Sequence, residues 1–244
     1  MKVIFLGTGE AFDENYLNNS SLVVAGKTNL LLDCGMTTPY QLWKYDDNQN
    51  LLDAVYISHS HADHYFGLPA LLTRMWEEKR KKPFAIVCRR KEDIKKVAEA
   101  GYKGIFKKLG FKVSFVGIEK DSIVRFKGLE LSFAKASHSI ENYAVRIESR
   151  GGSVCYSGDG MFNEETERLY ENCDLLIHET YLYDKKLIGH ASVASVVDMA
   201  ERDNIKVLAL THINRNLRKK GFSLTKSKVK IAVPKPFDTL TIRR

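Results

Sequence analysis

Apolar residues along this chain fall into short runs of four to eight, mostly with the period of two that a half-buried strand needs, interrupted by a few stretches with helical spacing. KVIFLG at the N-terminus reads as a strand, and SLVVAGKTNLLLDCG as a hairpin turning at Gly26 and Lys27 and ending at Gly35. PYQLWKY places Pro39 in a first helical turn, and DAVYIS is a buried strand that runs straight into His59. After His64, helical spacing continues through Leu68, Leu71, Leu72, Met75 and Trp76. PFAIVC is again strand-like, KEDIKKVAEAGYKGIFKKLG is mostly helical, and KVSFVG, SIVRF, LELSFAKASH, YAVRIES and SVCYSGD follow as strands. EETERLYE reads as a helix, DLLIHE as a strand, SVASVVDMAERDN as a helix and KVLALTH as a strand, with two short extended pieces in the tail. Strands interleaved with helices place the chain in the α/β class.

One regularity links this pattern to chemistry. Apolar runs repeatedly end on a residue able to bind a metal: AVYIS on His59, LSFAKAS on His138, SVCYSG on Asp159, LLI on His178 and Glu179, VLALT on His212. Strands of packed sheets that deliver such residues at one edge gather them into a single cleft on a rigid scaffold. The densest stretch is SHSHADHYFGL, Ser58 to Leu68, which holds His59, His61, Asp63 and His64. His59 and His61, one residue apart, can face the same way, and Asp63 and His64 at the coming helix start can serve a second position. Imidazole nitrogens and carboxylate oxygens suit zinc, with manganese and iron also compatible. Six or seven ligands exceed one tetrahedral zinc, whereas two metals about 3.5–4 Å apart would use them all and supply a hydroxide nucleophile at neutral pH.

Composition narrows the setting. With 244 residues, 44% of them hydrophobic, the chain has enough apolar residues for a substantial core, and nothing forces a boundary, so residues 1–244 read as a single domain. The first apolar run is too short for a secretory segment and no run suits a membrane span, which points to a cytoplasmic protein with no membrane partner. Cys34, Cys88, Cys155 and Cys173 are far apart and read as buried free thiols. The net charge of +8 is concentrated: from Ile213 onward ten Lys and Arg (Arg215, Arg218, Lys219, Lys220, Lys226, Lys228, Lys230, Lys235, Arg243, Arg244) face Asp238 alone. A second cluster comprises Lys79, Arg80, Lys81, Lys82, Arg89, Arg90, Lys91, Lys95 and Lys96. Such clusters either attract polyanions, nucleic acid first among them, or form a solvated basic surface.

The motif HSHADH (His59 to His64), with SHS ending at Ser139, SGDG (Ser157 to Gly160) and LTH ending at His212, resembles the metallo-β-lactamase superfamily. The resemblance implies a four-layer αββα sandwich with His59, His61 and His138 on one metal, Asp63, His64 and His212 on the other, and Asp159 bridging; Asp63 also belongs to the catalytic set. A histidine at His61, where iron-binding members carry an acidic residue, favours two Zn2+. FLGTG, LDCG, HET (His178 to Thr180) and GHAS (Gly189 to Ser192) are similar to motifs of the ribonuclease Z branch and its short phosphodiesterase relatives. Carried over, His190 assists the leaving oxygen, Glu179 orients His190, and His178 packs behind them. The implied substrate is a phosphodiester, either RNA such as a transfer RNA precursor or a small cyclic nucleotide, and the resemblance admits a homodimer. RRKEDIKK follows PFAIVC where that branch has Gly-Pro, and no glycine- and proline-rich arm lies between Arg89 and Phe126. The alternative from the same site is hydrolysis of a thioester or lactone, which has no use for a Glu179–His190 proton donor.

Overall fold

The computed structural model describes residues 1–119, 122–185, 187–224 and 227–242. Strand β1 (Lys2–Gly7) leads into the hairpin β2 (Ser20–Ala25) and β3 (Thr28–Leu32). Then come α1 (Thr38–Tyr45), β4 (Ala54–Ile57), the one-turn α2 (Ala62–Tyr65), α3 (Leu68–Glu77), β5 (Phe84–Cys88), α4 (Lys91–Gly101), α5 (Ile105–Lys108) and β6 (Val113–Gly117). The second half runs β7 (Ile123–Phe126), β8 (Leu129–Ala136), β9 (Asn142–Ser149), β10 (Gly152–Tyr156), α6 (Glu164–Tyr170), β11 (Leu175–Glu179), α7 (Val193–Arg202) and β12 (Val207–Thr211). The tail adds α8 (Arg215–Lys220), β13 (Lys230–Ala232) and β14 (Thr239–Thr241).

The strands form two seven-stranded sheets, ordered β14-β1-β2-β3-β4-β5-β6 and β13-β12-β11-β10-β9-β8-β7. Period-two alternation sorts each strand's side chains between layers. Val3 and Phe5 of β1 enter the core between the sheets, where they join Phe133, Val145, Leu175 and Ile177 from the other sheet. Ile4 and Leu6 point the other way, into a layer closed by Leu42 of α1, Leu68, Leu71 and Met75 of α3 and Ile94 of α4. On the opposite outer face Leu176, Leu208 and Leu210 pack under Tyr170 of α6 and Val193, Val196 and Met199 of α7. The four layers are helix, sheet, sheet, helix, the αββα sandwich expected from the motifs.

Strand direction decides what reaches each edge. β3, β4 and β5 are parallel, with Leu32 beside Tyr56 and Ile57 beside Cys88, so Asp33, His59 and Arg89 leave the first sheet at the same edge. β10, β11 and β12 are likewise parallel, with Tyr156 beside Ile177 and Glu179 beside Thr211, so Asp159, Glu179 and His212 leave the second sheet together. β8 runs antiparallel to β9, which runs antiparallel to β10, and this brings His138 to that edge as well.

The same topology divides the basic clusters that look continuous in sequence. Lys79 to Lys82 precede β5 at the far edge, where Lys82 pairs with Asp53 at 3.1 Å and Arg80 is buried, while Arg89 and Arg90 follow β5 at the edge that carries the histidines. In the tail α8 follows His212 at the histidine edge, whereas Lys230 pairs beside Val207 at the other. Lys226, Arg243 and Arg244 lie outside the described residues. The four cysteines are buried free thiols, and among the described residues no helix is long and apolar enough to cross a membrane.

Candidate metal centre

His59 follows β4 directly, and the chain then turns through Ser60 and His61 into α2, which carries Asp63 and His64. The turn is held against the segment after β3: Cys34 N–H donates to His64 O at 2.7 Å and Gly67 N–H to Cys34 O at 2.8 Å. Gly35 permits this approach, since a Cβ there would stand 1.9 Å from Asp63 O. On the second sheet Gly158, at φ +61°, lets the loop that carries Asp159 pass Ser58; a Cβ would meet Ser58 Cβ at 2.7 Å. His212, at φ +53°, is in the left-handed region, and its N–H is fixed by Thr8 O at 2.9 Å.

Two groups of ligand atoms result. His59, His61, His138 and Asp159 form one, and Asp63, His64, Asp159 and His212 the other, each with its atoms within 4.8 Å of one another. Asp159 belongs to both, so the residues that the motifs assign to two metals are brought together in the two expected sets. In the first, His61 Nδ1 lies 3.1 Å from His59 Nε2 and 3.1 Å from His138 Nε2. In the second, Asp159 Oδ2 lies 3.4 Å from His64 Nε2 and 3.3 Å from His212 Nε2, while Asp63 Oδ2 lies 3.2 Å and 3.3 Å from the same two nitrogens.

For His138, His64 and His59 the far side of the ring fixes which nitrogen carries the proton. His138 Nδ1 faces Gly189 O at 2.7 Å, an acceptor, so it is the N–H and Nε2 presents a lone pair to the cluster. His64 Nδ1 faces Asp33 Oδ2 at 2.7 Å. His59 Nδ1 faces Ser58 Oγ at 3.0 Å, and that hydroxyl in turn donates to Asp33 Oδ2 at 2.7 Å. Asp33 also accepts from Tyr156 OH at 2.6 Å and from Ser58 N–H at 2.7 Å, so one fully buried carboxylate orients rings in both groups. The LDCG motif contains this residue, but its organising role depends on contacts with Ser58, His64 and Tyr156 that only the fold creates.

The outcome is a buried cluster of lone pairs and carboxylates directed at one another. Such a donor set fits divalent cations: His64 Nε2 and Asp159 Oδ1 are buried with no hydrogen-bond partner among the described residues, and a positive ion is what the converging atoms lack. Ionisation reflects the same charge balance. Burial, reinforced by His64, drives His59 well below the ordinary histidine range; burial and His138 lower His61; burial also lowers His138. These rings are neutral, as metal ligands must be. At His64 burial is outweighed by Asp159, Asp63 and Asp33, and at His212 by Asp159 and Asp63, which push its pKa up to about 9. The second group thus holds surplus negative charge that a cation would neutralise in place of protons.

Glu179, His190 and His212 form a third convergence. Glu179 Oε1 already accepts the N–H groups of Gly160 and Ala191, both at 3.0 Å, and faces His190 Nδ1 at 3.1 Å, which suits a carboxylate that orients a ring. His190 lies parallel to His212 with centroids 5.9 Å apart, stacks on Tyr181 at 4.8 Å and meets His138 edge-on at 5.2 Å, so it borders both groups. Burial opposes its charging, but the Glu179 hydrogen bond and charge outweigh burial and raise its pKa. His178, one residue earlier, points to the other face of β11: its Nδ1 faces Glu179 O at 2.7 Å and its ring packs edge-on against Phe162 and Tyr170.

A family profile described as Anti-Pycsar protein Apyc1 matches residues 1–231. Ribonuclease Z of Staphylococcus carnosus is 23% identical, covering 88% of this chain and 89% of its own length. That alignment runs over 273 positions, more than the 244 residues of this chain, so the relative carries segments without a counterpart here. Human zinc phosphodiesterase ELAC protein 2 is 27% identical over 89% of this chain and 30% of its own length. Among solved structures, the short form of human tRNase Z superposes with a TM-score of 0.82 at 23% identity, covering all of both chains. The metallo-β-lactamase fold protein YhfI of Bacillus subtilis gives 0.80 at 24% identity, covering 98% of each.

Proposed function

This chain belongs to the Anti-Pycsar protein Apyc1 family, in the ribonuclease Z-like branch of the metallo-β-lactamase superfamily, and from that membership and the geometry of the cleft we propose that it is a zinc-dependent phosphodiesterase. The observation that carries the reading is the meeting of His59, His61 and His138 with Asp63, His64 and His212 around Asp159. His59, His61, His138 and Asp159 would hold one cation, and Asp63, His64, His212 and Asp159 the other. Bound there, two zinc ions supply the positive charge that draws in a phosphate and the acidity that yields a nucleophile at neutral pH. Asp33 keeps the lone pairs of His59 and His64 aimed at the cleft through Ser58 and directly.

The remaining residues attend to the proton balance. Asp63, at the open side of the second group, aligns the attacking water. When the phosphorus–oxygen bond breaks, the departing alkoxide needs a proton, and His190 is placed to supply it: its Nδ1–H is given to Glu179, whose hydrogen bond and charge outweigh burial and raise the ring's pKa, and the ring borders both groups. Similarity to ribonuclease Z and to a zinc phosphodiesterase supports a nucleotide phosphodiester as substrate, either an RNA 3′ end or a small cyclic nucleotide. Arg89, Arg90, Arg215 and Lys219 lie at the histidine edge, but each is paired with a carboxylate, Glu141, Asp93, Glu10 and Glu14 in turn, so the metal ligands carry the reading without a free basic border.

Hydrolysis of a thioester or lactone by the same metals would leave the Glu179–His190 pair without a task. Zinc-loaded wild type and His190→Ala should therefore be compared on a nucleotide phosphodiester and on a glutathione thioester. Loss of the first activity alone supports the proposal; a thioester turned over well by both proteins, with the phosphodiester untouched, refutes it.

A further inference from the structure

Beside His138 lies a cavity of about 580 Å³ lined by His138 itself, Lys135, Ser137, Met161, Asn163, Glu165 and the Ile188–Gly189 segment. Its volume is that of a site for a nucleotide-sized group. The floor is rigid: Ser137 and Met161 exchange backbone hydrogen bonds at 3.0 and 2.9 Å, and the Asn163 side chain donates to Lys135 O at 2.9 Å. One wall is a turn, Leu187 to His190, closed by His190 N–H donating to Leu187 O at 3.1 Å, with Gly189 at φ +79° in the third position, where a type II turn requires it. Gly189 O receives the His138 Nδ1–H at 2.7 Å, and the last residue of the turn is His190. The turn is therefore anchored to both the metal cluster and the proton donor, and it holds Ile188 at its tip.

Ile188 is 97% exposed, more than any other large hydrophobic residue described. This β-branched apolar side chain stands one residue from the carbonyl that holds His138 and borders the cavity beside it. Across the floor, Met161 offers a second apolar and polarisable surface. Lys135, Glu165 and the Ser137 hydroxyl supply the cavity's polar groups. Two apolar walls with polar groups at the edge suit a flat heterocycle better than a phosphate or a sugar, and the metal cluster next door accounts for the phosphate.

We propose that this cavity seats the nucleobase of the substrate, with Ile188 and Met161 as its apolar walls, so that the Leu187–His190 turn sets base preference as well as presenting the proton donor. The inference rests on the phosphodiesterase reading of the metal cleft. It is tested with two esters that share a scissile bond and leaving group, thymidine 5′-(p-nitrophenyl phosphate) and methyl p-nitrophenyl phosphate, on the zinc-loaded full chain. Wild type should favour the base-bearing ester in kcat/KM by about tenfold, the discrimination expected from burying one aliphatic side chain against a ring. Ile188→Ala should bring the ratio close to unity through KM, and Ile188→Leu should restore it. Turnover of both esters with no preference in wild type, or a preference that survives Ile188→Ala, overturns the base site while leaving the phosphodiesterase reading intact. An Ile188→Ala variant that loses both esters equally also overturns it, because a disordered turn would displace His190 for every substrate. If wild type leaves both esters untouched, the reading beneath the inference has failed instead.

Discussion

His190 Nδ1 lies 3.1 Å from Glu179 Oε1, and that one oxygen also takes the N–H groups of Gly160 and Ala191. A carboxylate so held cannot swing away, and the imidazole above it is fixed in orientation and tautomer. Replacing His190 by alanine should lower kcat on a nucleotide phosphodiester with an alkoxide leaving group by about 10²–10⁴-fold. On a p-nitrophenyl ester, whose leaving group departs without a proton, the loss should be much smaller. Equal losses on the two substrates would show that His190 positions substrate and does not donate a proton.

Asp33 should matter more to metal affinity than to folding. Its carboxylate accepts from His64 Nδ1, Ser58 Oγ and Tyr156 OH, so Asp33→Asn turns an acceptor of several donors into a group that competes as a donor. Zinc affinity, followed by competition with a chromophoric chelator, should fall about 10–100-fold with the circular dichroism spectrum unchanged. Unaltered zinc affinity would remove Asp33 from the site.

Much of this site is legible in the sequence because four of the candidate ligands end apolar runs, and parallel strands carry run ends to a common edge, while His61, Asp63 and His64 follow His59 in one dense motif. His59, His138, Asp159 and His212 are readable for that reason. Asp33 also ends such a run in LDCG, yet its partners are 25 to 123 residues away and appear only when the two sheets close. The α8 segment escapes the hydrophobic pattern altogether, since none of its residues is buried and its spacing carries no apolar stripe. The basic run Lys79–Lys96 misleads in the opposite direction: β5 sends its two ends to opposite edges, and Arg80 at the first of them is buried. His178 ends an apolar run as the ligands do, but the alternation of β11 turns it away from the cleft.

Arg80 illustrates what the hidden part does for stability. Fully buried, it donates to the carbonyls of Lys82 and Leu52 at 2.7 Å and Pro83 at 3.0 Å, and also to Gln49 O, while its guanidinium lies over Phe84 and Phe111 at 5.3 and 5.2 Å. Burial lowers its pKa to about 10, which still leaves it charged at neutral pH. Arg80→Met would orphan these carbonyls and should cost about 3 kcal/mol or more in urea unfolding. Arg80→Lys, with a single point of charge in place of a planar fork, should recover only part of that.

Asp203 gives a pH-dependent prediction. It caps the C-terminus of α7, where a negative charge meets the negative end of the helix, and its Oδ2 is buried with no hydrogen-bond partner among the described residues. Burial first, then Glu167 and Glu171, push its pKa from 3.8 up to about 6. The folded state thus binds this proton more tightly than the unfolded chain, so the stability the group contributes is full below its unfolded pKa and is lost as pH rises through about 6. Asp203→Asn should therefore stabilise the protein at about pH 8, by about 1 kcal/mol once solvent screening of this partly exposed group is allowed for. The gain over wild type should vanish in thermal melts near pH 4; a gain that is the same at both pH values would contradict the assigned cause.

The central claim is that the two groups sharing Asp159 act as one dinuclear phosphodiesterase centre. Metal-stripped protein titrated with zinc, with hydrolysis of bis(p-nitrophenyl) phosphate followed at each addition, tests it directly. Turnover should climb to a plateau at two equivalents per chain, with Asp159→Ala inactive at every loading. A plateau at one equivalent, or no hydrolysis at any zinc content, would contradict it.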